Sequence, residues 1–155
     1  MLMRFWYLVS VFFGSGKSPK APGTMGSLAS LLIWIPIVMW ETSLVFRLIA
    51  IILIFVLGTF AIYQSKSLYA DVNSDPKEIV IDEVCGQGIA LLLCPPNLWY
   101  IMAGFVFFRI FDILKPWPIG LIDRNIKGPL GIMLDDILAG VFAAIVLMLV
   151  LPIVL

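Results

Sequence analysis

Leu44 to Tyr63 is an apolar run of 20 residues interrupted by one charge, Arg47, close to its start. A helix of about 20 residues covers the roughly 30 Å hydrocarbon thickness of a bilayer. A run of this kind has few alternatives to crossing as a helix, because lipid offers no partner for an unpaired backbone N–H or C=O. Ile137 to Leu155 is a second such run, of 19 residues, ended by no charge. Leu28 to Trp40 is a third, just long enough if its helix starts near Thr24, with Pro36 as a kink point. Composition agrees: 62% of residues are hydrophobic and the mean hydropathy is +1.10, against about 45–50% apolar residues in soluble domains. The 155 residues suffice for one domain.

The remaining apolar sequence is shorter. Asp75-Pro76 reads as an N-cap followed by proline at the first helical position. The helix it starts runs through Glu78-Ile79-Val80-Ile81-Asp82-Glu83 to Cys94, where Pro95-Pro96-Asn97 stops it. Leu98 to Phe108 returns. Each arm of this hairpin is about 16 residues, so about 24 Å, and reaches most of the way across before turning back. Phe5 to Phe13 is too short to span and suits an interfacial helix. Met1 to Arg4 with this run resembles a signal peptide superficially, but without a small-residue cleavage site it is expected to stay in the mature chain. The expected fold class is therefore all-α: a polytopic integral membrane helical bundle of about four membrane-inserted helices plus a short N-terminal interfacial helix.

Charge sets the orientation. Segments 14–27, 64–83 and 109–136, together with Arg4, hold nine of the ten basic residues; only Arg47 falls on the other side. They also hold nine of the ten acids, all but Glu41. The positive-inside rule makes this side cytoplasmic. A net charge of zero gives a nucleic-acid partner no electrostatic support. Cys85 and Cys94 have neither metal-site nor redox spacing and read as packing residues.

No histidine is present, which removes Ser-His-Asp catalysis, phosphohistidine chemistry and histidine-ligated zinc. Gly16-Lys17-Ser18 looks like the end of a phosphate-cradling loop, yet Val11 stands where the first glycine belongs and Pro19 follows at once. The glycines of segment 14–27 still permit backbone N–H groups to converge on an anion, with Lys17 and Lys20 adding charge and Thr24 able to cap the next helix. Haloacid-dehalogenase-type D-x-D is absent. Leu91 and Tyr100 occupy the arginine positions of a cysteine phosphatase. Phosphatidic-acid-type lipid phosphatases need histidine, and the D-G-x2-A-R signature of CDP-alcohol phosphotransferases does not occur.

What remains is carboxylates and cations. Glu78, Asp82, Glu83, Asp112, Asp123, Asp135 and Asp136 fall at one membrane face in separate segments. Acids at the end of an inserted helix are costly and mark function, although helix-start capping by the macrodipole explains single ones equally well. Oxygen donors without His or Cys suit Mg²⁺ or Mn²⁺. Adjacent Asp135 and Asp136 diverge by about 100° on a helix, so one can face a metal while the other supports it. Arg109, Lys115, Arg124 and Lys127 supply cations beside them, and Trp117 with its prolines suits the headgroup region. Together these point to a membrane enzyme acting on a phosphorylated lipid headgroup. A small cation transporter or channel is the alternative, but it would place ionisable groups near the bilayer midplane, and here they sit at one rim.

Three blocks, SPKAPGTMGSL at 18–28, DPKEIVIDEVCGQGIAL at 75–91 and FRIFDILKPWPIGLIDRNIKGPLGIMLDDILAG at 108–140, closely resemble the bacterial phosphatidylglycerophosphatase A family. They cover about 60 residues in fixed order. Lys17, Gly88 and Gly128-Pro129 depart from the usual pattern. The resemblance implies a Mg²⁺-dependent enzyme of the bacterial inner membrane that hydrolyses phosphatidylglycerophosphate to phosphatidylglycerol and phosphate at the cytoplasmic face; it admits a homodimer. It implies Glu78, Asp82, Glu83, Asp135 and Asp136 as metal ligands or their support. Lys20, Arg109, Lys115 and Arg124, with Thr24, would hold phosphate. Asp82, Glu83, Asp123 and Asp136 would be catalytic, with Asp82 or Asp123 as general base, and a covalent aspartyl-phosphate as the other route.

Overall fold

The structure, a computed structural model, describes residues 2–69 and 76–154, with side chains to residue 150. Seven α-helices carry the fold: α1 Leu2–Ser10, α2 Pro22–Met39, α3 Leu44–Ser65, α4 Ile81–Ala90, α5 Leu98–Leu114, α6 Ile119–Asn125 and α7 Gly128–Val154. Two 3-10 turns, Phe12–Lys17 and Lys66–Leu68, complete it, and no strand occurs among the described residues.

Among the described residues three helices are long and apolar enough to cross a membrane: Pro22–Met39, Leu44–Leu68 and Gly128–Val150. Local chemistry starts and stops them. Ser43 Oγ accepts the Phe46 N–H at 3.2 Å and caps α3. Pro22 occupies the first turn of α2, where its missing N–H costs nothing. Thr24 therefore lies inside that first turn and does not cap it, and Pro36 falls in the last turn, where a kink has little to bend. Asn97 Oδ1 accepts the Trp99 N–H at 2.8 Å and opens α5. Trp40 and Trp99 lie exposed at one end of the bundle, Trp117 at the other, the positions amphipathic indoles take at two membrane interfaces.

The expected hairpin is different in the structure. Its first arm is the ten-residue α4, about 15 Å long, which begins at Ile81 and not at Pro76; the Asp75 cap lies outside the described residues. All but one of its residues are buried. It is a core helix enclosed by α2, α3, α5 and α7, too short to span alone, with the 17-residue α5 packed along α7. Tertiary contacts set this start. The Val80 N–H donates to the Ser10 carbonyl at 3.0 Å and the Ile79 N–H to the Pro76 carbonyl at 2.9 Å, so the preceding chain turns against the end of α1.

Glycines let α4 sit so deep. A Cβ on Gly86 would lie 2.6 Å from both the Asp136 carbonyl oxygen and the Phe108 ring, so the α7 main chain rests directly on α4. Gly88 leaves room for the Trp34 ring, whose Nε1–H donates to the Val84 carbonyl at 2.9 Å.

Arg47 does not snorkel as its place near a span end suggested. It is buried, and its Nη1 donates to the carbonyls of Leu92 at 3.1 Å and Cys94 at 2.9 Å. These carbonyls belong to the turn after α4, where no following helical turn satisfies them. Arg47→Met leaves them orphaned at about 1–3 kcal/mol each. The variant is expected to lose about 2–4 kcal/mol of stability in detergent unfolding, with Arg47→Lys recovering part. A wild-type melting curve for Arg47→Met would show that the carbonyls find other partners.

Candidate active site

Asp82 and Glu83 stand in the first turn of α4, where unsatisfied N–H groups and the macrodipole favour negative charge. Asp136 comes from α7, brought alongside by the close approach at Gly86. Carboxylate oxygens of Asp82, Glu83 and Asp136 lie within 4.8 Å of one another, and all three residues are buried. Glu83 Oε2 and Asp136 Oδ2 have no hydrogen-bond partner. Buried like charges at this spacing, with oxygens unsatisfied, are costly unless protons are taken up or a cation binds. Three oxygen donors converging without nitrogen or sulfur match a hard divalent ion such as Mg²⁺, so these three side chains could hold one.

They form one wall of a polar pocket of about 180 Å³, with Pro22, Gly23, Lys77, Asp112, Lys115 and Asp135 on the others. Gly23 matters by its lack of a side chain: a Cβ there would collide with Glu83 Oε1 and press on Arg109.

The cations here are mostly spoken for. Arg109 Nη1 bonds Asp112 at 2.6 Å, lies 3.8 Å from Glu83 and donates to Ser27 Oγ at 3.0 Å. Lys115 Nζ bonds Asp123 at 2.7 Å and Asp135 at 2.6 Å. Burial pulls the Lys115 ammonium down, but its bonds to Asp123 and Asp135 outweigh this and hold it above the usual lysine range. It stays charged at neutral pH. Six carboxylates, Asp82, Glu83, Asp112, Asp123, Asp135 and Asp136, thus stand against two ion-paired cations and Lys77, so acids outnumber bases.

Of the residues singled out from sequence, Asp82, Glu83 and Asp136 meet directly. Asp135 diverges from Asp136 toward Lys115. Asp123, with its side chain 35% exposed, joins only through Lys115. Glu78 is elsewhere: it precedes α4, so it shares no helical face with Asp82, and its Oε2 accepts from the Tyr7 hydroxyl at 2.6 Å. Lys20 and Arg124 are exposed, and among the described residues neither lines the pocket nor makes an ion pair. Thr24 is half-buried beside the pocket-lining Gly23.

Sequence reasoning did not place Asp112, Lys77 or Gly23 in the site. Asp112 carried a signal, its three-residue spacing from Arg109 on one helix. Gly23 carried one as a glycine of the 14–27 loop, and Lys77 carried none beyond lying in a motif block. Gln87, one turn beyond Glu83 and outside the pocket lining, is fully buried with neither amide atom partnered.

A family model described as phosphatidylglycerophosphatase A matches residues 8–151. The chain is 43% identical to phosphatidylglycerophosphatase A of Escherichia coli over 143 residues, which cover 90% of this chain and 79% of that protein. It is 41% identical to phosphatidylglycerophosphatase A of Haemophilus influenzae over 142 residues, 90% of this chain and 85% of the relative. A Bacteroides thetaiotaomicron protein with a provisional phosphatidylinositol-3-phosphatase name is 41% identical over 146 residues, 90% of this chain and 89% of its own length. No solved structure matches. With a match across almost its whole length, and with the acidic blocks of that match meeting in one pocket, the chain belongs to the phosphatidylglycerophosphatase A family.

Proposed function

We propose that this protein removes the terminal phosphate of phosphatidylglycerophosphate, giving phosphatidylglycerol and inorganic phosphate, in a Mg²⁺-dependent hydrolysis. The observation that carries the metal is the convergence of Asp82, Glu83 and Asp136 within 4.8 Å, with no ion pair to Asp136 among the described residues. The family and two relatives' names support the substrate. The Bacteroides relative's name points to another lipid headgroup carrying a phosphomonoester, so release of phosphate from both lipids, assayed side by side, decides the headgroup. Positive-inside charge supports a site facing the cytoplasm of the bacterial inner membrane. The exposed apolar face of α1 (Leu2, Phe5 and Leu8) supports an interfacial helix beside it.

Asp82, Glu83 and Asp136 would hold the ion, with Mn²⁺ a substitute. Bound Mg²⁺ supplies Lewis-acid polarisation of the phosphoryl oxygens. The protein's own groups do the rest. Lys115 uses two of its three donors on Asp123 and Asp135, which leaves one for a phosphate oxygen. Asp123 and Asp135 hold that ammonium at the pocket wall. Arg109 is kept in place by Asp112 and Ser27, where it offsets Glu83. Lys77 is the pocket-lining cation without an ion pair among the described residues, and it takes over the phosphate-capturing role expected of Lys20 and Arg124.

Asp82→Asn, Glu83→Gln and Asp136→Asn are each expected to lower kcat on the order of 10²-fold, about 2.7 kcal/mol of barrier, and to weaken Mn²⁺ binding measured by electron paramagnetic resonance. In excess chelator the same variants are expected to melt no lower than wild type, because each removes one buried like charge. Lys66→Gln, a charge outside the pocket, serves as the control. Near-normal turnover by all three acidic variants at saturating Mg²⁺, or full wild-type activity in EDTA, would overturn the metal site.

Lys77→Gln is expected to raise KM about tenfold with kcat changed much less and Mn²⁺ affinity kept, and Lys77→Arg to recover most of it. An unaltered KM in Lys77→Gln would remove the residue from phosphate binding.

A further inference from the structure

A second groove opens at the same end of the bundle, between α1 and the Phe12–Lys17 turn. It holds about 400 Å³ and is lined by Arg4, Tyr7, Leu8, Lys17 and Leu68. Positions 4, 7 and 8 share one face of α1. Lys17 reaches over from the 3-10 turn, its Nζ 4.9 Å from the centre of the Tyr7 ring, a distance at which the ring face attracts a cation.

The frame of the groove is held by hydrogen bonds. The Tyr7 hydroxyl donates to Glu78. Ser10 Oγ bonds the Tyr69 hydroxyl, and the Ser10 carbonyl accepts from Val80. The two cations, by contrast, are exposed and form no ion pair among the described residues. Glu78, the carboxylate that Tyr7 contacts, is engaged by that hydroxyl.

The surroundings select the occupant. Leu8 and Leu68 give the groove an apolar side. Leu2, Phe5 and Phe13 are exposed around it, as suits a helix lying at a membrane surface. A ligand here meets two cations and an apolar wall together, at the level where α3 ends.

We propose that this groove binds an anionic phospholipid, its headgroup phosphodiester between Arg4 and Lys17 and the start of its acyl region against Leu8 and Leu68. The site is separate from the catalytic pocket, which Arg4 and Lys17 do not line. It stands independently of the reaction proposed above.

The test is lipid retention by the full chain. The protein is purified from detergent into nanodiscs of phosphatidylcholine with a minor share of phosphatidylglycerol. Native mass spectrometry then counts the lipid kept per chain as activation rises. Wild type is expected to keep one phosphatidylglycerol in preference to phosphatidylcholine. Each basic residue at a membrane surface is worth roughly a fivefold factor in binding anionic lipid. The double variant Arg4→Gln/Lys17→Gln should therefore lose retention by about 20-fold, each single variant by about fivefold, while Arg4→Lys/Lys17→Arg keeps it. Both side chains are exposed, and an unchanged melting temperature reports an intact fold. Lys66→Gln, at the same end but outside the groove, should retain lipid as wild type does. Equal retention by the double variant and wild type overturns the proposal. An equal loss in Lys66→Gln also overturns it, as diffuse surface attraction. Displacement of the lipid by inorganic phosphate would show a phosphate site instead.

Discussion

The contact between α4 and α7 at Gly86 governs the functional end of this protein. The Asp136 main chain rests where a side chain at Gly86 would be, and Gly140 packs against the Gly86 carbonyl in turn. Helix axes this close bring the first turn of one helix beside the side chains of the other. Asp82, one turn before Gly86, and Asp136 are then neighbours by geometry. The cost is electrostatic: three buried carboxylates share one small volume, which is unfavourable while all three are ionised and unpaired.

The surrounding charges are arranged around that excess without cancelling it. Arg109 and Lys115 each bridge two acids, which fixes both cations beside the triad. A guanidinium tied by Asp112 and Ser27 cannot swing into the triad and displace an ion. The acidic triad therefore sits beside positive walls; were Asp82, Glu83 and Asp136 to hold a divalent ion, it would supply Lewis-acid polarisation while the tethered cations offset phosphate charge.

The two ends of the bundle solve different problems. At the far end Arg47 closes the carbonyls left by a helix that stops inside the protein. At the near end Tyr7, Ser10, Ser65 and Tyr69 link α1 to α3 and to the chain entering α4. Both devices serve α4, which is too short to be held by its own propensity and depends on its neighbours at each terminus.

The spans were legible in the sequence because bilayer thickness converts directly into a count of apolar residues, and Leu44–Ser65 needs no partner to be recognised as a helix. The side on which charge accumulates was legible too, and so were the residue types able to hold a divalent ion. The start of α4 was not. Local signals favoured Asp75-Pro76, but pairing of Val80 with Ser10 delays the helix to Ile81. That five-residue shift takes Glu78 away from Asp82 and gives it to Tyr7. Nor could the charge pattern tell a cation facing the pocket from one facing water, which separates Lys77 from Lys20 and Arg124. Residue chemistry and helix length are local properties that the sequence determines alone. Which acid meets which cation depends on interhelical approach distances, and these were decided by glycines and buried hydrogen bonds between segments far apart in the chain.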